Sequence, residues 1–273
     1  MQNMEKNYSE NYPNNGWLRG YFVAGGNDTH SALDIKGWRK HFDFLRLRDV
    51  ALLKLNPQKD EKILDLGCAD GCTMTYCGLQ GAEVYGVDLD PKGIEFANNL
   101  LKEFSLKGEA VCTNANDTGF ADNNFDKVIS SDFFEHVTDD DKVDILKEVR
   151  RVLKPGQPIV IKTPNLNYLK LSLKFKQLKG LLKFQNPKNF VIPHTPGTDD
   201  PQHIGLANRK SLDTCLDAAG FQNRQFFYAP LRRFGNSQFV ELLSTEIPFV
   251  RDYLCEDLFC IAWKPIVASH FPD

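Results

Sequence analysis

Two short glycine-bearing and acidic segments carry most of the chemistry legible in this chain. Leu64-Asp65-Leu66-Gly67-Cys68-Ala69-Asp70-Gly71 ends an apolar run and opens a helical one around two glycines. A strand–glycine–helix turn of this kind brings backbone N–H groups close to a ligand at the positive end of a helix dipole. Val84-Tyr85-Gly86-Val87-Asp88 reads as the next strand and ends in a carboxylate, which can accept two hydroxyl hydrogen bonds at once. The Gly-x-Gly-x-x-Gly fingerprint of dinucleotide sites is not spelled: Ala69 and Cys72 stand in place of its second and third glycines. Each piece alone also fits a plainer role, a tight turn or a solvated strand-end acid.

The histidines form the second group. His136 follows the run Phe125 to Ser131, and His194 and His203 flank the far side of a long insertion. Imidazole titrates near neutrality and suits removal of a hydroxyl proton, whereas a satisfied core histidine is the plain alternative for His136. Asp139, Asp140 and Asp141 follow Thr138, which fits a capped helix start better than a metal site, and no residue is assigned to a metal. None of the seven cysteines shows Cys-x-x-Cys spacing, so neither a zinc cluster nor a disulfide framework is expected.

Read in order, these segments resemble the class I S-adenosylmethionine-dependent methyltransferases, in the small-molecule branch that includes quinone and sugar O-methyltransferases. Asp65 to Gly71 resembles motif I, and Asp88 matches the acid that holds the cofactor ribose. Asn114-Ala115 stands where the family has Asp-Ala near the adenine, and Asp132 to Val137 resembles the segment closing over the methionine moiety. The resemblance implies a cofactor set of Asp65, Gly67, Cys68, Gly71, Asp88, Leu89, Asn114, Ala115 and Ser131. It implies S-adenosyl-L-methionine as cofactor, S-adenosyl-L-homocysteine as product, and His136, His203 or His194 as candidates for the catalytic base. It covers Lys62 to Phe221 with one insertion, and more weakly the stretch to Lys264.

The elements that must position these groups alternate strand and helix, which implies an α/β doubly wound, mostly parallel sheet. With the resemblance, this becomes a seven-stranded Rossmann-like sheet with an antiparallel last strand at Leu258 to Trp263. Residues 1–55 are expected to form an N-terminal segment and cap helix, with Phe42, Leu45, Val50 and Leu53 on one apolar face and Trp38, Arg39 and Arg46 as cover. Residues 56–273 then form the methyltransferase domain, with the insertion 166–200 as a lid or substrate-recognition element. From Leu166 to Phe190 that insertion has six lysines, no acid, and leucines at roughly helical spacing. It reads as a lid helix, an anionic-substrate contact or a peripheral membrane contact.

The chain has 273 residues, 42% hydrophobic and 25% charged, ordinary values for a globular protein. A net charge of −3 gives no general attraction to nucleic acid. No apolar run long enough for a signal peptide or membrane span is present, so a cytoplasmic location is expected. The expected activity is methyl transfer to an oxygen of an anionic, hydroxylated small molecule such as a surface-polysaccharide sugar, a nucleotide-sugar or a phosphate-bearing glycan group. The alternatives are a quinone or lipid acceptor, or a non-catalytic S-adenosylmethionine-binding partner.

Overall fold

A computed structural model describes residues 50–192, 203–228 and 245–266. The strands are β1 (Lys62–Leu66), β2 (Glu83–Asp88), β3 (Gly108–Cys112), β4 (Lys127–Ser131), β5 (Pro158–Pro164), β6 (Asn223–Tyr228) and β7 (Asp257–Trp263). They form one sheet in the order β3-β2-β1-β4-β5-β7-β6. β1, β2 and β3 pair in parallel, while β7 runs antiparallel to both β5 and β6. The helices are α1 (50–55), α2 (Cys72–Leu79), α3 (Pro91–Glu103), α4 (Asp139–Val152), α5 (Leu166–Leu182), α6 (Arg209–Ala218) and α7 (Pro248–Leu254). The mostly parallel sheet with its antiparallel last strand is as the sequence led one to expect. The chain divides into two compact units, one up to 129 together with 152–154, the other 130–151 with 155 onwards.

In the first unit, Ile63, Leu64 and Leu66 of β1 are all buried, the continuous apolar run of a strand covered on both faces. Asp90 caps α3 by accepting from the Lys92 N–H, and Pro91 starts that helix with its φ already set. Asn98 of α3 ties the helix to β3 through two hydrogen bonds with the Ala110 backbone, at 2.8 and 2.9 Å. Ala51, Leu52 and Leu55 make the buried face of α1, but Leu53 is 74% exposed. Helical spacing identified a helix here and chose the wrong face, because Leu53 lies opposite the residues that pack. The rest of the expected cap helix, with Trp38, Arg39 and Arg46, lies outside the described residues.

In the second unit, Thr138 caps α4 by accepting from the Asp141 N–H, and Asp139 to Asp141 fill its first turn. The acidic run is a helix start, complementing the dipole. Asn165 caps α5 by accepting from the Asn167 N–H, and its amide donates to the carbonyls of Asp252 and Cys255. Along α5 the apolar residues form two stripes on opposite sides: Leu166, Leu169 and Leu173 on one, Leu171, Phe175, Leu178 and Leu182 on the other. The lysines lie between them, so the helix is apolar on two sides. Phe175, Leu178, Leu181, Leu182 and Phe184 are all more than half exposed. Among the described residues no helix is long and apolar enough to cross a membrane.

Gly86 is a tight point beneath the glycine loop of the first unit. A Cβ on it would fall 2.3 Å from Met74 Sδ and 2.7 Å from Cys68 Sγ. Gly86→Ala should therefore lower the urea-unfolding free energy by about 1–3 kcal/mol, the cost of overpacking a close-packed site. An unchanged midpoint would mean that the loop above Gly86 can move aside.

Candidate active site

The loop between β1 and α2 is held in left-handed turns at Gly67 (φ 67°), Ala69 (φ 45°) and Gly71 (φ 76°). The N–H groups of Gly67 and Cys68 both donate to the Val87 carbonyl, at 2.9 and 3.1 Å, which fixes the loop over the end of β2. A Cβ on Gly71 would lie 2.5 Å from Ala97 Cβ, so the glycine lets α2 and α3 approach. Ala69 carries a side chain in a conformation that costs an L-residue about 1–2 kcal/mol. Its N–H donates to Asp88 Oδ2 at 2.9 Å, which offsets part of that cost. Ala69 thus takes the left-handed conformation at the position where the fingerprint has its second glycine.

Asp88 accepts a second backbone bond, from the Asp90 N–H to Oδ1 at 2.9 Å. A carboxylate offers about four acceptor positions, so roughly two remain for hydroxyl donors. Leu89 beside it is 68% exposed, an apolar side chain set out next to a polar acceptor pair. Asn114 is exposed and its Oδ1 accepts from the Asn116 N–H at 3.3 Å, while Ala115 is buried. Asp65 and Cys68 are each 4% exposed. Burial, with Asp65 and Asp88 adding to it, pushes the Cys68 thiol far above its ordinary range, so Cys68 packs and is no nucleophile. These residues, all of the first unit, set a carboxylate with spare acceptor positions beside an exposed apolar side chain and an exposed amide. That is an acceptor set suited to a nucleoside ligand with hydroxyls and an adenine face.

The second unit holds the remaining predicted residues. Ser131 ends β4, its Oγ buried and without a hydrogen-bond partner among the described residues. Asp132 follows with φ 57° and forms an ion pair with Lys162 of β5, which is 3% exposed. Burial alone would lower the Lys162 pKa, but the carboxylates of Asp132, Asp257 and Glu135 hold it above the usual lysine value. Glu135 is 1% exposed and accepts from Thr163 Oγ1 at 3.1 Å. Burial, then the neighbouring Asp132 charge, raises its pKa well above the carboxylate range. His136 and His203 come together, with ring centroids 4.8 Å apart at 58°. His194 lies outside the described residues. Sequence reasoning missed Lys162, Thr163 and the buried Lys142, although a lysine closing the apolar run Ile159-Val160-Ile161 was a visible signal.

Residues 64–161 match the family model described as a methyltransferase domain. This part of the chain is a methyltransferase domain. Its matched span runs from β1 into β5 and so contains the glycine loop, Asp88, Asn114 and His136. The chain is 34% identical over 168 residues to the chloroplastic tocopherol O-methyltransferase of Arabidopsis thaliana, covering 59% of this chain and 47% of that one. It is 29% identical over 147 residues to a ubiquinone biosynthesis O-methyltransferase of Chromobacterium violaceum, covering 51% of this chain and 62% of that one. The chain thus spans between about half and three-fifths of the length of these two relatives. A solved S-adenosylmethionine-dependent methyltransferase from Archaeoglobus fulgidus shares the fold, with a TM-score of 0.55 at 22% identity over 83% of this chain and 94% of that one. The methyltransferase domain implies S-adenosylmethionine as its cofactor.

Asp70 gives this methyltransferase a pH signature. It is 5% exposed; burial pushes its carboxyl up to about 7, against the lowering pull of the Cys72 N–H. A carboxyl whose pKa rises on folding stabilises the fold below its unfolded pKa, and that contribution is lost as pH rises through the folded value. Asp70→Asn removes the ionisation and keeps an acceptor for the Cys72 N–H. Its stability advantage over the wild type should grow by about 2 kcal/mol between pH 5 and pH 8. Melting temperatures across that range check this, and a constant difference would place the Asp70 charge in water.

Proposed function

We propose that this chain transfers the methyl group of S-adenosylmethionine to a hydroxyl oxygen of an amphiphilic small molecule of the quinol or phenol type, presented at a membrane surface. The observation that carries the acceptor class is α5. Its outer stripe exposes Phe175, Leu178 and Leu182, with Leu181 and Phe184 beside them. The flanking lysines, with no acid between Leu166 and Phe190, suit an anionic lipid surface. The names of the relatives point the same way: they act in tocopherol and ubiquinone chemistry, both on oxygen.

When bound, the cofactor supplies a methyl on a positively charged sulfur, already a strong electrophile. What the protein must add is alignment and removal of the acceptor proton. Asp88, Leu89, Asn114 and the glycine loop bind and orient the cofactor. The His136–His203 pair takes the hydroxyl proton, with Glu135 beside it. The free cysteines fit a reducing cytoplasm as the place of work.

The six lysines also favour a second reading, an anionic sugar or nucleotide-sugar acceptor bound beneath the same helix. One assay separates the two: S-adenosylhomocysteine release with a prenylated catechol in phosphatidylglycerol vesicles, against a panel of nucleotide sugars. The proposal expects turnover with the vesicle-borne catechol. A triple Phe175→Ser, Leu178→Ser, Leu182→Ser variant should lower that rate at least tenfold while leaving a short soluble catechol unaffected. Turnover confined to nucleotide sugars would overturn the lipid reading and establish the second one.

A further inference from the structure

Three side chains of the second unit converge in a way that suits more than proton transfer. One ligand-type atom from each of Glu135, His136 and His203 lies within 4.8 Å of the other two. Glu135 and His136 stand on a short 3-10 turn (Phe134–His136) just after β4. His203 reaches that turn from much further along the chain, on a segment that is firmly anchored. The Gly205 N–H donates to the Glu135 carbonyl at 2.9 Å. A Cβ on Gly205 would sit 1.7 Å from the Val137 carbonyl oxygen, so only glycine permits this approach. Lys142, fully buried, donates to the Gly205 carbonyl at 2.5 Å and to Asp139 Oδ1 at 2.6 Å. Three contacts thus hold His203 against Glu135 and His136.

We propose that Glu135, His136 and His203 bind a divalent transition-metal ion of the zinc type, through one carboxylate oxygen and one nitrogen of each imidazole. Two imidazoles and one carboxylate suit zinc and its first-row neighbours, whereas magnesium and calcium favour all-oxygen sets. Metal–ligand bonds of about 2.0–2.2 Å place neighbouring ligands about 3–4 Å apart, so a shift of about 1 Å closes the site. The Thr163 hydroxyl donates to Glu135 Oε2 and orients the carboxylate, as outer-sphere partners do at such centres. Three protein ligands leave a position open for an oxygen, the arrangement of catalytic rather than structural zinc. A hydroxyl taken there would lose its proton to solvent more readily, so with the ion bound the two imidazoles would serve as ligands in place of acting as the base. That role of the ion rests on the methyl-transfer reading; the binding does not.

The test reads binding without turnover. The metal-stripped full chain is titrated with Zn2+ by calorimetry and with Co2+ by visible absorption. The same is done for His203→Gln and Glu135→Gln, and S-adenosylhomocysteine binding serves as the check that each variant is folded. The expected result is one tight Zn2+ per chain, weakened 10- to 100-fold in each folded variant. The Co2+ spectrum should show d–d bands and no thiolate charge-transfer band. Absence of Zn2+ binding by the wild type, equal affinity in a folded variant, or a thiolate band would each overturn the site. The last would assign the ion to a cysteine. Should Glu135→Gln fail the folding check, His203→Gln, whose side chain is only half-buried, decides alone. Loss of methyl transfer with Zn2+ binding intact would count against the proposed reaction and not against the metal site.

Discussion

The carboxylate of Asp88 is the constraint on which the cofactor cradle depends. It accepts one backbone N–H from the glycine loop, at Ala69, and one from the start of the next connection, at Asp90. Without it the left-handed Ala69 would lack the hydrogen bond that holds its strained turn, and the loop would be free to lift from β2. Charge-assisted bonds to backbone N–H groups are roughly twice as strong as neutral ones. The acid at the end of β2 is therefore a structural clamp and, in the proposed function, the acceptor for the ligand. Gly86, two residues earlier, completes the arrangement by leaving room for Met74 and Cys68 beneath the loop.

The second unit is organised around buried charge. Lys162 meets Asp132, and Lys142 meets Asp139 and the Gly205 carbonyl, both ammonium groups almost fully out of water. Such pairs contribute little net stability, because desolvation consumes most of the attraction, yet removing one partner is costly. Their value here is positional. Asp132 is held in its left-handed turn, which sets the direction of the chain into Glu135 and His136. Lys142 holds the segment that brings in His203. A buried carboxylate, an imidazole pair and two pinned backbones are the result.

The first unit was the more legible in the sequence because its signals are local. Asp65 to Gly71, Asp88 and Asp90-Pro91 each declare a turn or a cap within a few residues, and the structure puts them where those turns require. The pairing of His136 with His203 was not legible, since nothing near either residue encodes the other; Gly205 and Lys142, which cause it, act through tertiary contacts. Periodicity failed in a different way at Leu53 and along α5. Spacing tells which residues share a face, and only packing tells which face is covered. The two-stripe pattern of α5 also satisfies a helical count of leucines, so spacing alone does not separate a one-sided helix from a two-sided one. Lys162 escaped notice because its buried charge is stabilised by Asp132 and Asp257, each distant in sequence.

The measurement that bears most directly on this account is calorimetric titration of S-adenosylhomocysteine into the full chain and into Asp88→Ala. Micromolar binding to the wild type is expected, weakened at least tenfold in the variant, a loss of about 1.4 kcal/mol or more. Wild-type protein that binds no S-adenosylhomocysteine, or a folded variant that binds it as tightly, would contradict the assignment of the glycine loop and Asp88 as the cofactor cradle.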